Sequence, residues 1–160
     1  PCHDTSGYVH VCTDIFTVHD YEQDSAKFAE TYAPVSPDDL TGTPIRFDEL
    51  SIPYGGEPYV VDEYGGTWWD EKEASRDQDP DKKGSWGYGN RPTDIEEVYD
   101  RIEKLTAVLT DHPNIAGYTY TQLTDIEQEQ NGIYTYDRKL KFDADRLKKA
   151  FGAPAAIEKG

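Results

Sequence analysis

At 160 residues the chain is long enough for one domain with a core, and too short for a complete eight-stranded α/β barrel, which needs about 250 residues. Its 16 basic against 32 acidic residues leave a net charge of −16, which repels phosphate backbones and anionic lipid surfaces and argues against nucleic acid or membrane partners. No apolar run approaches the roughly 20 residues of a membrane span, and the chain opens on Pro1 and holds no methionine, so a piece of a longer protein is expected.

In chain order, Cys2 and Cys12 come first. They would pair only if two extended segments met, and the same spacing fits a reduced cytoplasmic protein, so free thiols are expected. The stretch Asp14-Ile15-Phe16-Thr17-Val18-His19 predicts a strand, because apolar and β-favouring residues run together there. Residues 24–33 predict a short helix with Phe28 and Tyr32 four apart on one face. A second strand is predicted at Pro58-Tyr59-Val60-Val61-Asp62-Glu63.

Residues 64–91 have no strong periodicity, and a connection this long inside a compact domain is usually functional or disordered. Its contents favour function: it holds all three tryptophans, Trp68, Trp69 and Trp86, among glycines that let the backbone turn closely. Thr93 followed by Glu96 reads as a capping box, and Ile95, Val98, Ile102, Leu105 and Leu109 then recur along one face of a predicted helix. Asn114-Ile115-Ala116-Gly117-Tyr118-Thr119-Tyr120-Thr121 predicts a third strand, and Asp143 caps a last helix bearing Leu147 and Phe151. Strand and helix alternate, which calls for a parallel sheet wrapped by helices, and each strand ends in polar groups where α/β barrels place their chemistry.

A carboxylate closing a buried apolar strand is costly to desolvate unless it is paired or used. Glu63 stands there, after Val60 and Val61, although the pattern alone serves equally well for a strand end that points into solvent. Aromatic residues make up 12% of the chain, with 12 Tyr against 5 Phe, and a surplus of such amphipathic rings suits a polar, ring-stacking pocket.

The residues around Glu63 carry a resemblance. Tyr59-Val60-Val61-Asp62-Glu63-Tyr64-Gly65 resembles the nucleophile strand of glycoside hydrolase family 2, the group of β-galactosidases, β-glucuronidases and β-mannosidases. Asp14-Ile15-Phe16-Thr17-Val18-His19-Asp20-Tyr21-Glu22-Gln23-Asp24 resembles the sixth barrel strand and its exit in bacterial members. The stretch from Gly117 through Gln122, Asp125 and Glu127 to Gly132 resembles the eighth strand and its following loop. The resemblance implies the C-terminal half of a (β/α)8 TIM barrel over residues 1–160, roughly strands five to eight with their helices. It also implies a retaining hydrolase of β-glycosides, β-galactosides foremost, with Glu63 as nucleophile and Tyr21 hydrogen-bonded to it.

Other residues keep two readings. His19, two residues before Tyr21 on the same strand face, either meets a sugar hydroxyl or is a satisfied buried histidine. Trp68 and Trp69 either stack on a sugar face or pack the long loop onto the barrel. Tyr120 falls where many family members carry a tryptophan at the floor of the sugar pocket, and a tyrosine ring can serve there. Gln122, Asp125 and Glu127 bind hydroxyls or anchor the loop.

The family's acid/base is the Glu of an Asn-Glu pair, and no such dipeptide occurs in this chain, so the expected partners are the remaining half of the barrel and the family's N-terminal β-domains. Half a barrel exposes edge strands and an apolar face, which favours self-association or recruitment of the missing half. A non-catalytic carbohydrate-binding module is the rival reading of the aromatic loop. No cofactor or metal is expected. Asp77, Asp79 and Asp81 alternate like the start of a calcium loop, but Gly84 comes too late and Tyr88 stands where a Glu is needed. His3, His10, His19 and His112 lack zinc spacing, Gly87-Tyr88-Gly89 lacks a dinucleotide setting, and no Gly-x-Ser-x-Gly elbow is present.

Overall fold

Phe16 and Val18 alternate with Thr17 and His19, and the pleat of a strand sends the two sets to opposite faces. In the computed structural model, which describes residues 1–71 and 84–159, these residues open β1 (Phe16–Asp20). The chain continues through α1 (Ser25–Tyr32), β2 (Tyr59–Gly65), α2 (Ile95–Thr110), β3 (Ile115–Thr121) and α3 (Ala144–Phe151). The strands form one parallel sheet in the order β1-β2-β3, making a small α/β unit with three strands and three α-helices among the described residues. The expected span of strands five to eight asks for four strands; residues 1–15 form none.

One face of the sheet is apolar. Phe16 and Val18 of β1, with Tyr59, Val61 and Tyr64 of β2, pack against Phe28 and Tyr32 of α1 and Leu105 and Leu109 of α2. Each fully buried side chain of this kind contributes about 1.5–3 kcal/mol relative to exposure. Tyrosine serves in place of phenylalanine because its hydroxyl finds a hydrogen-bond partner in or beside this core. Tyr32 donates to Asp20 Oδ2 at 3.2 Å, Tyr59 donates to the Pro44 carbonyl at 2.8 Å, and the hydroxyls of Tyr64 and Thr106 lie 2.7 Å apart. A second cluster joins Val98, Tyr99 and Ile102 of α2 to Leu147 of α3, Phe142 and Trp69.

The helices begin where short polar side chains satisfy their free N–H groups. Asp24 accepts from Ala26 N and Lys27 N, and Asp143 accepts from Arg146 N at 2.9 Å. The start of α2 lies one residue beyond the predicted box: Asp94 is the cap, accepting from Glu97 N at 2.9 Å. Glu97, rather than Glu96, reaches back to the Thr93 amide at 2.8 Å, and this contact, with Arg101, holds its carboxyl below the usual range. Glu96 instead pairs with Arg146 of α3 at 2.7 Å.

The outer edge of β1 has no strand beside it among the described residues, and a side chain takes that place. The buried His10 ring sets Nε2 2.9 Å from the Thr17 carbonyl oxygen and 3.2 Å from its amide. Its Nδ1 lies 2.8 Å from Asp4 Oδ1, while Asp4 Oδ2 accepts from the amides of Val11 and Cys12. Those bonds, the one to His10 foremost, hold the Asp4 carboxyl far below its ordinary value. Cys2 and Cys12 are exposed free thiols in the same segment.

Truncating Leu105 to Ala should lower stability by about 2–5 kcal/mol, while Lys104→Ala on the same helix should change it by less than about 0.5 kcal/mol, both read from urea unfolding. Burial raises the phenols of Tyr32, Tyr59 and Tyr64 well above their ordinary value. A raised folded-state value favours the folded state fully below the unfolded tyrosine pKa of about 10 and loses that contribution as pH climbs above it. The urea midpoint should therefore hold up to about pH 9 and fall above about pH 10, less steeply in Tyr64→Phe.

Candidate active site

Strict alternation along β2 would set Glu63 on the same face as Val61, among the helices. An irregularity prevents this. Val18 pairs with Val61, but the next residue, His19, pairs with Glu63, so Asp62 is an extra residue in β2 relative to β1. Tyr64 then returns to the apolar face. Such a bulge re-aims a side chain, and Glu63 is brought to the open face of the sheet beside His19 and Tyr21.

Three groups converge there. The Tyr21 hydroxyl donates to Glu63 Oε2, and Thr121 Oγ1 at the end of β3 lies 3.4 Å from the same hydroxyl. Burial first, and the adjacent Glu63 second, hold the Tyr21 phenol protonated well above the usual tyrosine range, so it stays a donor. His19 Nδ1 lies 3.3 Å from Glu63 Oε2 and its Nε2 lies 2.9 Å from Ser6 Oγ, which donates to Asp62 Oδ2 at 2.7 Å. Asp62 Oδ1 is buried without a hydrogen-bond partner, 3.5 Å from His19 Nε2. Glu63 keeps 38% of its side-chain surface exposed against 8% for His19, so the carboxylate is oriented yet reachable.

The surroundings fix these groups from three sides. Residues 1–12 lie against β1, where Gly7 N donates to Thr17 Oγ1 at 2.8 Å and the Tyr8 ring meets the His19 ring edge-on at 5.0 Å. Gly7 has φ +63°, and a Cβ there would stand 1.9 Å from His19 Cδ2. Gln23 joins the exits of β1 and β2: its amide donates to the Gly65 carbonyl at 2.6 Å and its oxygen accepts from Thr67 Oγ1 at 2.9 Å. On the third side, Tyr88 stacks on Tyr21 with ring centroids 3.5 Å apart and planes within 4°.

The predicted site residues divide. Glu63, Tyr21 and His19 come together. Trp69 is 6% exposed and belongs to the core against α2, the packing alternative rather than the stacking one. Trp68 donates Nε1–H to Ser85 Oγ at 2.9 Å under the Arg91 guanidinium, 5.1 Å from its ring centroid. Tyr120 points to the helix side, packed on Tyr64 at 5.5 Å and Phe151 at 5.3 Å, and burial pushes its phenol up to about 12. Alternation explains this, since the neighbour Thr121 is the one that reaches Tyr21.

Gln122 donates to Asn131 Oδ1 at 2.7 Å and accepts at its carbonyl from Ile133 N at 3.0 Å, so it ties down the loop after β3. Asp125 does the same work, bonded to Gly132 N and to Lys141 Nζ, both at 2.8 Å. Glu127 is exposed, and Asp77, Asp79 and Asp81 lie outside the described residues. Sequence patterns offered no sign that Ser6, Thr121 or Tyr88 would gather around Tyr21, His19 and Glu63, because each arrives through a loop or a strand register.

No protein-family model and no curated protein matches the chain. Its fold is similar to solved structures of β-glucuronidases. That of Bacteroides uniformis matches with a TM-score of 0.52 at 20% identity, over 80% of this chain and 14% of the other. That of Bifidobacterium dentium, complexed with coumarin-3-O-glucuronide, matches with a TM-score of 0.52 at 18% identity, over 88% and 21%. The Faecalibacterium prausnitzii enzyme gives 0.53 at 15% identity, over 89% and 22%. The chain thus spans between 14% and 22% of the length of these three structures.

Gly7→Ala should drive the His19 ring from its place between Ser6 and Glu63, at a stability cost of about 1–3 kcal/mol. Histidine side-chain NMR should show the displaced His19 resonances, with those of His112, which lies before the N-terminal end of β3, unmoved.

Proposed function

We propose that this chain is the nucleophile side of a retaining β-glycosidase of the glycoside hydrolase family 2 kind, contributing the last strands of a (β/α)8 barrel. The single observation that carries this reading is the Tyr21 hydroxyl donating to Glu63 at the C-terminal ends of adjacent parallel strands. That is the end at which barrel enzymes assemble their chemistry, and the bond orients a carboxylate while leaving it open to a substrate.

In the first half of the reaction a Glu63 oxygen bonds to the anomeric carbon as the glycosidic C–O bond breaks. The departing alcohol oxygen takes a proton from a general acid. In the second half, water adds its oxygen to the anomeric carbon, its proton returns to that acid/base group, and the Glu63 ester is released as a carboxylate. Tyr21 donates to Glu63 Oε2 while His19 packs 3.3 Å from the same oxygen, and the Tyr21 bond to a carboxylate that loses charge on attack must be replaced as the ester forms. The acid/base comes from outside these 160 residues, since the chain has no Asn-Glu pair.

Charge favours a neutral sugar, with β-galactosides as the proposed substrates, over the glucuronides of the fold neighbours. Asp62 stands beside Glu63, and among the described residues no lysine or arginine forms an ion pair with either. A sugar carboxylate would meet two negative groups there. Association with the rest of a barrel is supported by β1 and β3, which each have one strand neighbour among the described residues, and by the exposed Leu123, Ile126, Tyr136 and Leu140 beyond β3.

A 2-deoxy-2-fluorogalactoside with a good leaving group should label Glu63 in the intact protein that contains this chain, read by peptide mass. Reversible sugar binding with no label would support a binding module instead. Tyr21→Phe should reduce kcat/KM by about ten- to a hundredfold, the worth of a hydrogen bond to a charged group. Glu63→Gln should lose both label and turnover, and nitrophenyl galactoside should be hydrolysed faster than the glucuronide. The 160-residue chain alone should show no turnover.

A further inference from the structure

Around the His19 ring the hydrogen-bond count selects one arrangement of protons. Ser6 has a single hydroxyl proton and stands between two partners, Asp62 Oδ2 at 2.7 Å and His19 Nε2 at 2.9 Å. A carboxylate only accepts, so the Ser6 proton goes to Asp62. The Ser6 oxygen is then an acceptor towards the ring, and Nε2 carries the hydrogen that meets it. Asp62 Oδ1 acts in the same direction. It is buried without a hydrogen-bond partner among the described residues and lies 3.5 Å from Nε2, where its negative charge favours a proton.

With the proton of the neutral ring on Nε2, Nδ1 is left with a lone pair. That atom faces Glu63 Oε2 at 3.3 Å, and among the described residues Tyr21 is then the one donor to the Glu63 carboxylate. The ring has little room to turn over. Its side chain is 8% exposed, the Tyr8 ring meets it edge-on, and the backbone of Gly7 passes so close that a Cβ there would clash with it. Arg46 holds the His19 backbone as well, donating to its carbonyl at 3.3 Å.

We infer that Asp62 and Ser6 are positioning residues which lock the His19 proton on Nε2 and so withhold a second donor from Glu63. The inference rests on Glu63 as the proposed nucleophile and assigns these neighbours a part in its reactivity. A second hydrogen bond to the carboxylate would stabilise the charge that Glu63 gives up when it bonds to carbon. A lone pair in the same place opposes that charge, and the opposition ends once the ester forms. Tyr21 thus orients Glu63, and His19 leaves it reactive.

Two readouts in the intact protein test this. Histidine nitrogen NMR at about pH 9, above the ordinary imidazole value of about 6.5, reports which nitrogen of a neutral ring holds the proton. His19, identified by the signal lost in His19→Gln, should hold it on Nε2. In Asp62→Ala the Ser6 hydroxyl is free to turn to Nε2, and the Glu63 carboxylate should draw the ring proton to Nδ1. The same variant should slow fluorosugar labelling of Glu63 by about tenfold, the worth of a hydrogen bond to a charged group. Because both residues act through one lock, adding Ser6→Ala to Asp62→Ala should slow labelling no further. A proton on Nδ1 in the unaltered protein overturns the lock, as does one that stays on Nε2 in Asp62→Ala. So does an unchanged labelling rate once the proton has moved. Absence of labelling in an unaltered protein whose His19 holds its proton on Nε2 instead removes Glu63 as the nucleophile, and the positioning role falls with it.

Discussion

The extra residue in β2 is the constraint on which the site depends. Val61 and Tyr64 both face the helices, and with the usual period of two they could not do so three positions apart. The bulge at Asp62 absorbs the odd residue, leaving the core intact on one side and bringing Glu63 to His19 and Tyr21 on the other. On that open face Asp62 accepts from Ser6 Oγ, so the segment before β1 is tied to β2 through a carboxylate.

The core and the site share one resource, the tyrosine ring, in two ways. Tyr32, Tyr59 and Tyr64 bury their rings and hand their hydroxyls to Asp20, to the Pro44 carbonyl and to Thr106 at the margins of the sheet. Tyr21 and Tyr88 stack on the open face, where one hydroxyl meets Glu63. A tyrosine surplus read from composition points to a stacking pocket, but half of the reason for it is structural. A thin α/β unit has few positions far from water, and a ring with a polar tip fits its rim better than phenylalanine.

Likeness to β-glucuronidases at 15–20% identity speaks to the arrangement of strands and helices, which many chemistries can share. The proposed preference for a neutral sugar rests instead on the local charge, with Glu63 and Asp62 side by side in a chain of net charge −16.

Sequence by itself determined the elements and their caps. The three strands and three helices fall within a few residues of their predicted places, because hydrophobic period and capping side chains act over one or two turns. The contact of Tyr21 with Glu63 was also legible, through motifs that resemble a known family. The one-residue shift of the α2 cap from Thr93 to Asp94 marks the limit of local signals, since both residues can cap and the packing of Val98 and Ile102 selects between them. Only the tertiary structure decided which aromatic rings meet solvent. Trp69 and Tyr120 packed towards the helices while Thr121 came to the Tyr21 hydroxyl, because facing depends on strand register and loop docking. Register is a relation between strands some forty to sixty residues apart, and no pattern within one segment can encode it.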